Sequence, residues 1–408
     1  MNTAHELIRL LSRSPVARLR AVVRLSRSFA VVALVVSAAN GQGGPATGGA
    51  GISDVIIRFS ATDGTPLEGK LSVPTGSTRV PVVFFLHGAG PRHYDHPVRF
   101  RDTDGQIRTE GYLDYYVREL AQLGLGFFRI SKRGCAIDSA GRPSVDRAVF
   151  SKATPTVLLD DYTRALEALR KRSEIDPARV VIGGASEGTR LAPQLALAAP
   201  EGIVGLMLTS YASDNQQNTV VWQNTTGVWR NVTKLIPAAS DGSLTKVEHA
   251  EALAADGSLG ARLPFAALDA NRDSVVTEAE MIGLVKPRLD AILKAVEDRN
   301  DDFLWTNLLN LSSAYLLDGW QGEPTSAYLL RLTVPIGIFH GDLDGTTRVE
   351  GVHETAAAFR AAGKSSLTVR TYPGHDHDLN WTPQSVRTGG PVPLRDAFRF
   401  AAGLASAR

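Results

Sequence analysis

The sequence predicts an α/β architecture: a mostly parallel, doubly wound sheet with helices on both faces, interrupted late by a long helical insertion. Short, continuous apolar runs alternate with helix-length amphipathic segments, the rhythm of strand-helix-strand units. That rhythm stops near Ser213 and resumes at Pro335, too long a gap for a bare loop. Between two such units stands Gly184-Ala185-Ser186-Glu187-Gly188, a GxSxG turn directly behind the run Val180-Val181-Ile182.

Ordered structure is expected to begin with residues 55–59 and 70–73, which flank Asp63-Gly64 and read as an antiparallel pair. Residues 82–86 are apolar throughout, as a strand buried on both faces must be. A helix over 113–123, a strand over 126–130, a helix over 156–172 and a strand over 180–182 follow. A helix after Ser186 and a strand over 204–209 complete the first part of the core, assigned to residues 53–212. Residues 213–330 form the insertion, a helical cap with Trp222, Trp229, Trp305 and Trp320 as apolar bulk. The core returns over 331–408 with a strand over 335–339, a helix over 352–361, a strand over 367–372 and a final helix over 394–404.

Residues 1–39 carry six arginines against the single Glu6, then the apolar run 29–36 and small residues 37–39. This is the order of a secretory signal peptide, so a secreted or periplasmic protein is expected, with an uncleaved anchor as the alternative. Residues 40–52 are richest in glycine, with alanine, proline and threonine among them, and read as a flexible leader. The net charge of +2 belongs to the signal segment, and the remainder is slightly acidic. That balance gives no electrostatic reason to expect nucleic acid, nor stable membrane association once the signal is removed. Cys135 is the only cysteine, which excludes an internal disulfide and suggests a small buried filler.

In a GxSxG turn the serine adopts a strained conformation between strand and helix, which presents its hydroxyl at the end of the sheet. A serine nucleophile needs a base, a carboxylate to orient that base, and donors for the oxyanion. Two loops at the carboxyl ends of later strands supply candidates: His340-Gly341-Asp342-Leu343-Asp344 and Pro373-Gly374-His375-Asp376-His377-Asp378. The chain order Ser, Asp, His is that of α/β-hydrolases.

Leu86-His87-Gly88-Ala89-Gly90-Pro91 resembles the oxyanion segment of secreted bacterial esterase-like α/β-hydrolases related to dienelactone hydrolases and serine aminopeptidases. Ser131-Lys132-Arg133-Gly134 resembles the DKRG segment of that group, with serine in place of aspartate, and residues 184–188 resemble its GxSEG elbow. The resemblance covers residues 53–212 and 331–408. It implies an α/β-hydrolase fold with Ser186 as nucleophile. The family's GxxD pattern selects Asp344 as the acid, and its YPGxxH pattern selects His377 as the base. Asp342, Asp376 and Asp378 then become loop or capping residues, and His375 an exposed loop residue. The implied oxyanion donors are the backbone N–H groups of Ala89 and Glu187, while Lys132 and Arg133 read as salt-bridged scaffold.

Within the insertion, residues 269–280 have EF-hand loop spacing. Asp269, Asn271 and Asp273 stand at positions 1, 3 and 5, the Val275 carbonyl at 7, Thr277 at 9 and Glu280 at 12, a set of hard oxygens suited to calcium. Ser274 replaces the usual glycine at position 6, so a weak structural site is expected. A degenerate partner over 240–248 keeps positions 5, 6, 8, 9 and 12 but has Pro237 and Ala239 at 1 and 3, giving an EF-hand-like module over about 228–290. No cofactor is required for the chemistry.

The expected function is a secreted serine hydrolase that cleaves carboxylic esters through an acyl-enzyme, acting on a small-molecule ester or amide, with a cap braced by calcium. A serine peptidase or aminoacyl amidase of the same fold is the alternative within enzymes. A catalytically idle calcium-binding or interaction protein is the alternative outside them.

Overall fold

A computed structural model describes residues 51–102, 104–139, 141–255 and 264–406. The expected signal segment and nearly all of the leader lie outside the described residues. The central sheet consists of β1 (Ile52–Ser60), β2 (Pro66–Pro74), β3 (Val80–Leu86), β4 (Gly126–Ile130), β5 (Ile175–Ala185), β6 (Ile203–Thr209), β7 (Ile336–Gly341) and β8 (Leu367–Tyr372). Its spatial order is β1-β2-β4-β3-β5-β6-β7-β8. Only the pairs β1/β2 and β2/β4 are antiparallel; the five remaining pairs are parallel. This is the α/β-hydrolase arrangement.

Burial on both faces explains why the strands read as unbroken apolar runs. In β3, Val82, Phe84 and Leu86 enter the core on one face, and Val83 and Phe85 enter the core on the other. The first face is covered by α2 (Pro155–Arg170), α3 (Gly188–Ala198) and α4 (Val349–Ala361), through Tyr162, Leu166, Leu195, Val352 and Phe359. The second is covered by α1 (Asp114–Gln122) and α5 (Val392–Ser406), through Tyr116, Leu120, Phe398 and Ala401. Truncating a ring such as Phe84, fully buried here, costs about 3–5 kcal/mol. The helix starts are set by local chemistry: Thr154 caps α2 through Val157 N–H, and Pro155 occupies its first turn.

The sequence reading misses two short hairpins, Pro97–Arg101 with Ile107–Gly111 and Cys135–Ile137 with Pro143–Val145. Their residues are mostly exposed or half-exposed, so neither pair writes an apolar alternation into the chain. Cys135 is half-buried rather than a core filler, and burial pushes its thiol up to about 11.

The insertion leaves and returns at one neck. Thr325 N–H donates to the Ser213 carbonyl at 2.9 Å, and its hydroxyl donates to the Ala212 carbonyl at 2.6 Å. The first part of the insertion has a core of its own, built from Trp229, Val232, Ile236, Leu244, Leu268, Val276, Met281 and Val285. The second part does not, because Ile292, Val296, Leu304, Tyr315 and Leu316 join the core that covers the sheet. Among the described residues no helix is long and apolar enough to cross a membrane.

Candidate active site

β5 ends at Ala185 and α3 begins at Gly188, and between them Ser186 has a left-handed φ of 55°. A serine held there costs about 1–3 kcal/mol of backbone strain, which the surrounding contacts must offset. They leave no room for side chains at the flanking positions. A Cβ on Gly184 would lie 2.6 Å from the Gly188 carbonyl oxygen, and one on Gly188 would lie 2.1 Å from that of Leu86. Both positions therefore require glycine. The turn is fastened by Ser186 N–H to the Thr209 carbonyl at 3.2 Å and by the Thr189 hydroxyl to the Ser186 carbonyl at 2.6 Å.

The loop after β7 places Asp344 in full burial with every lone pair directed to a donor. Its Oδ1 accepts from the N–H groups of Thr346 and Thr347 at 2.7 and 2.8 Å. Its Oδ2 accepts from the Thr347 hydroxyl at 2.7 Å and from His377 Nδ1 at 2.7 Å. Burial by itself would raise the Asp344 pKa, but the charge and hydrogen bond of His377, with support from His340 and Thr347, bring it to about 2. Burial likewise opposes charge on His377, and the Asp344 carboxylate outweighs it, lifting the imidazole to about 9. Because an ionised carboxylate can only accept, Nδ1 of His377 carries the proton, and Nε2 is the nitrogen free to act as base.

Ser186 and His377 meet at the segment that follows β6. Thr209 accepts from Ser186 N–H, and the Ser210 hydroxyl donates to the His377 carbonyl. Among the described residues Ser186 and the His377 ring share no direct hydrogen bond; such bonds commonly tighten only when substrate is in place. Asp342 and Asp376 serve their loops, accepting from Gly374 N–H and Asn380 N–H at 2.8 Å each. His375 turns its Nδ1 to the Pro373 carbonyl at 2.9 Å, away from Asp344.

The segment 86–91 packs against Ser186: a Cβ on Gly88 would stand 3.3 Å from Ser186 Cβ and 3.8 Å from its Oγ. Among the described residues no backbone acceptor takes the N–H of Ala89 or of Glu187, so both remain available for an oxyanion. Behind them Lys132 Nζ donates to the Gly88 carbonyl at 2.7 Å and to Glu187 Oε1 at 3.1 Å, and the Tyr315 hydroxyl donates to Glu187 Oε2 at 2.7 Å. Arg133 forms a buried fork with Asp161 at 2.9 and 2.6 Å, the scaffold role expected of it.

Sequence reasoning did not single out His340, Thr347, Ser210 or Tyr315. His340 is fully buried under the acid, accepting from Tyr211 N–H at Nδ1 and facing the Thr347 carbonyl with Nε2. Burial lowers its pKa, so it stands there as a neutral ring. The His-Gly-x-x-Asp spacing held that signal, since residues four apart around a turn at a strand end face one another.

The insertion carries the second candidate site. Residues 243–245 and 275–277 pair antiparallel with Leu244 opposite Val276, joining the intact and degenerate loops at the same position of each. Both loops close the same way: Thr277 with Glu280, and Thr245 with Glu248, each carboxylate accepting from its threonine N–H and hydroxyl. Ser274 has φ 71°, the left-handed turn for which glycine is usual. Asp269 Oδ1 and Glu280 Oε1, at the two ends of the loop, are buried with no hydrogen-bond partner. Two buried anionic oxygens left unpaired suit a hard cation. Asp273 Oδ1 is engaged by Val275 N–H, and no three acidic or imidazole side chains converge on one point among the described residues. The remaining ligands would be Asn271, the Val275 carbonyl and Thr277.

No family model matches the chain. Several solved structures are similar to it. An esterase, Est22 with p-nitrophenol, has a TM-score of 0.46 at 18% identity over 88% of this chain and 82% of that one. Est1E from Butyrivibrio proteoclasticus with ferulic acid bound has a TM-score of 0.48 at 14% identity over 86% of this chain and 100% of that one. Brefeldin A esterase, a bacterial homologue of human hormone-sensitive lipase, has a TM-score of 0.47 at 18% identity over 97% of this chain and 88% of that one. The strand order, the parallel crossovers and the elbow between β5 and α3 give this chain the α/β-hydrolase fold.

Proposed function

We propose that the protein is a serine hydrolase that cleaves carboxylic esters. The observation that carries the reading is the His377–Asp344 pair at 2.7 Å, set on the same sheet edge as a left-handed Ser186 whose flanking glycines are sterically obligatory. Ser186 Oγ attacks the acyl carbon as its proton passes to His377 Nε2, and Asp344 stabilises the imidazolium. The carbonyl oxygen, now negative, takes the N–H groups of Ala89 and Glu187, donors each worth about 3–4 kcal/mol in the transition state. Collapse of the tetrahedral adduct expels the alcohol, which leaves with the proton from His377. Water, deprotonated by the same ring, then releases the acid and restores Ser186.

A fluorophosphonate probe tests the assignment. Labelling of the folded protein that disappears in S186A, together with turnover of p-nitrophenyl esters, is the expected result. An unlabelled wild type overturns it. Aminoacyl anilides assayed in parallel decide between ester and amide preference, because the same three residues serve both.

We further propose that calcium occupies residues 269–280 and stiffens the cap without entering the chemistry. The two unpaired buried oxygens of Asp269 and Glu280 support this reading. Millimolar calcium should raise the melting midpoint of the wild type and leave that of E280Q unmoved. A midpoint indifferent to calcium and chelator overturns it. Export through the basic, apolar N-terminal segment is part of the same proposal, tested by fractionation of the full-length and truncated chains.

A further inference from the structure

Lys132 is only 1% exposed, and both acceptors of its ammonium belong to the elbow and the segment packed against it. Its ammonium donates to the Gly88 carbonyl at 2.7 Å and to Glu187 Oε1 at 3.1 Å, while its own N–H donates to the Arg92 carbonyl at 2.9 Å. Gly88 and Ala89 share one peptide unit, and the described chain has no cis peptide bonds. In a trans peptide the C=O and the N–H point in opposite directions. A cation that pins the Gly88 oxygen therefore aims the Ala89 N–H the other way. Gly88 lies against Ser186, so this peptide unit stands beside the nucleophile proposed above.

The other oxyanion donor is the backbone N–H of Glu187, and the side chain of the same residue is held by Lys132 and Tyr315. We propose that Lys132 is the positioning residue of the oxyanion hole, a single ammonium that sets the orientation of both donor peptides. This inference rests on the serine-hydrolase reading. The ammonium has two acceptors, the Gly88 carbonyl and the Glu187 carboxylate, and its charge strengthens both hydrogen bonds. The neighbouring glutamate balances the charge, which leaves the field at the oxyanion to the two N–H dipoles. Tyr315 comes from the insertion, so the cap completes the group that holds the hole.

Removing the lysine alone would strand the Glu187 carboxylate in the interior, so the decisive comparison includes K132M/E187Q against E187Q as well as K132M against wild type. Three readouts are needed: p-nitrophenyl acetate kinetics, the melting midpoint, and affinity for a trifluoromethyl ketone, which forms an alkoxide adduct on a serine nucleophile. In both backgrounds loss of Lys132 should lower kcat about 100-fold, keep KM within threefold, and weaken the ketone in proportion to kcat. A purely structural lysine would move the midpoint but leave both kcat and the ketone affinity of the folded protein unchanged. Turnover in K132M/E187Q within threefold of E187Q, or unchanged ketone affinity, overturns the proposal. A wild type that neither hydrolyses esters nor reacts with the fluorophosphonate overturns the hydrolase reading, and this inference with it.

Discussion

If His377 is the base and Asp344 its partner, as proposed, the pair ties activity to pH in the opposite direction from stability. The imidazole is lifted to about 9, so its attraction to Asp344 stabilises the fold fully below the ordinary histidine value of 6.5 and is lost as pH rises through 9. Asp344, lowered to about 2, contributes above 3.8 and loses its contribution as pH falls through 2. Only the neutral ring accepts the serine proton. Ester hydrolysis should therefore increase from pH 6.5 toward 9 while the pair's contribution to the melting midpoint declines over the same range. In D344N the rise in kcat/KM should shift to lower pH with a much lower plateau, and the midpoint difference from wild type should shrink between pH 6.5 and 9. Initial rates and melts across that range, on both proteins, check this. Ser274 offers a second test at this scale. Left-handed backbone costs a residue with a Cβ about 1–2 kcal/mol, part of which glycine's added freedom in the unfolded chain offsets. S274G should therefore be slightly more stable than wild type in thermal melts, with no change in ester kinetics.

The helix Thr226–Leu235 links the two candidate sites. Trp229 and Val232 face the core of the paired loops. From the same helix, Arg230 donates to the Asp342 carbonyl at 3.0 Å and to Glu350 at 2.6 Å, and Lys234 pairs with Asp376 beside the base. One helix thus touches the acid loop, the base loop and the calcium candidate. These partly exposed pairs each contribute at most about 1 kcal/mol to stability, so R230A/K234A should melt close to wild type. Its kcat/KM should fall about threefold to tenfold, and calcium should still raise its midpoint. Kinetics and melts with calcium and with chelator separate these outcomes.

Across the whole molecule, the elements readable from sequence were those whose pattern is local. The buried strands announce themselves as unbroken apolar runs, and the elbow glycines lie two residues from Ser186. The apolar run of β7 and the alternating residues of β8 located the loops that hold Asp344 and His377, but only the resemblance's GxxD and YPGxxH patterns singled those two out from their acidic and histidine neighbours. The exposed hairpins carry no such mark. Tyr315 meets Glu187 across 128 residues of chain, and nothing near either residue records that contact. The same holds for the insertion's second half, where Ile292, Val296 and Leu316 are apolar in sequence but do not reveal that they share the sheet's core.

The neck at Ala212, Ser213 and Thr325 also bears on the order of assembly. Because the chain leaves and re-enters the core at one point, β6 and β7 can pair along Leu206 to Thr209 and Ile336 to Phe339 before residues 214–324 have found their places. Distant segments are the slow ones to dock, since their loops must close first. The proposed oxyanion hole waits for Tyr315, and the loop that carries His377 waits for Lys234, both of which arrive with the insertion. Refolding should therefore restore the far-ultraviolet signal of the sheet before any reactivity toward fluorophosphonate, and a newly made chain would stay inert until its last-docking part had brought Tyr315 and Lys234 into place.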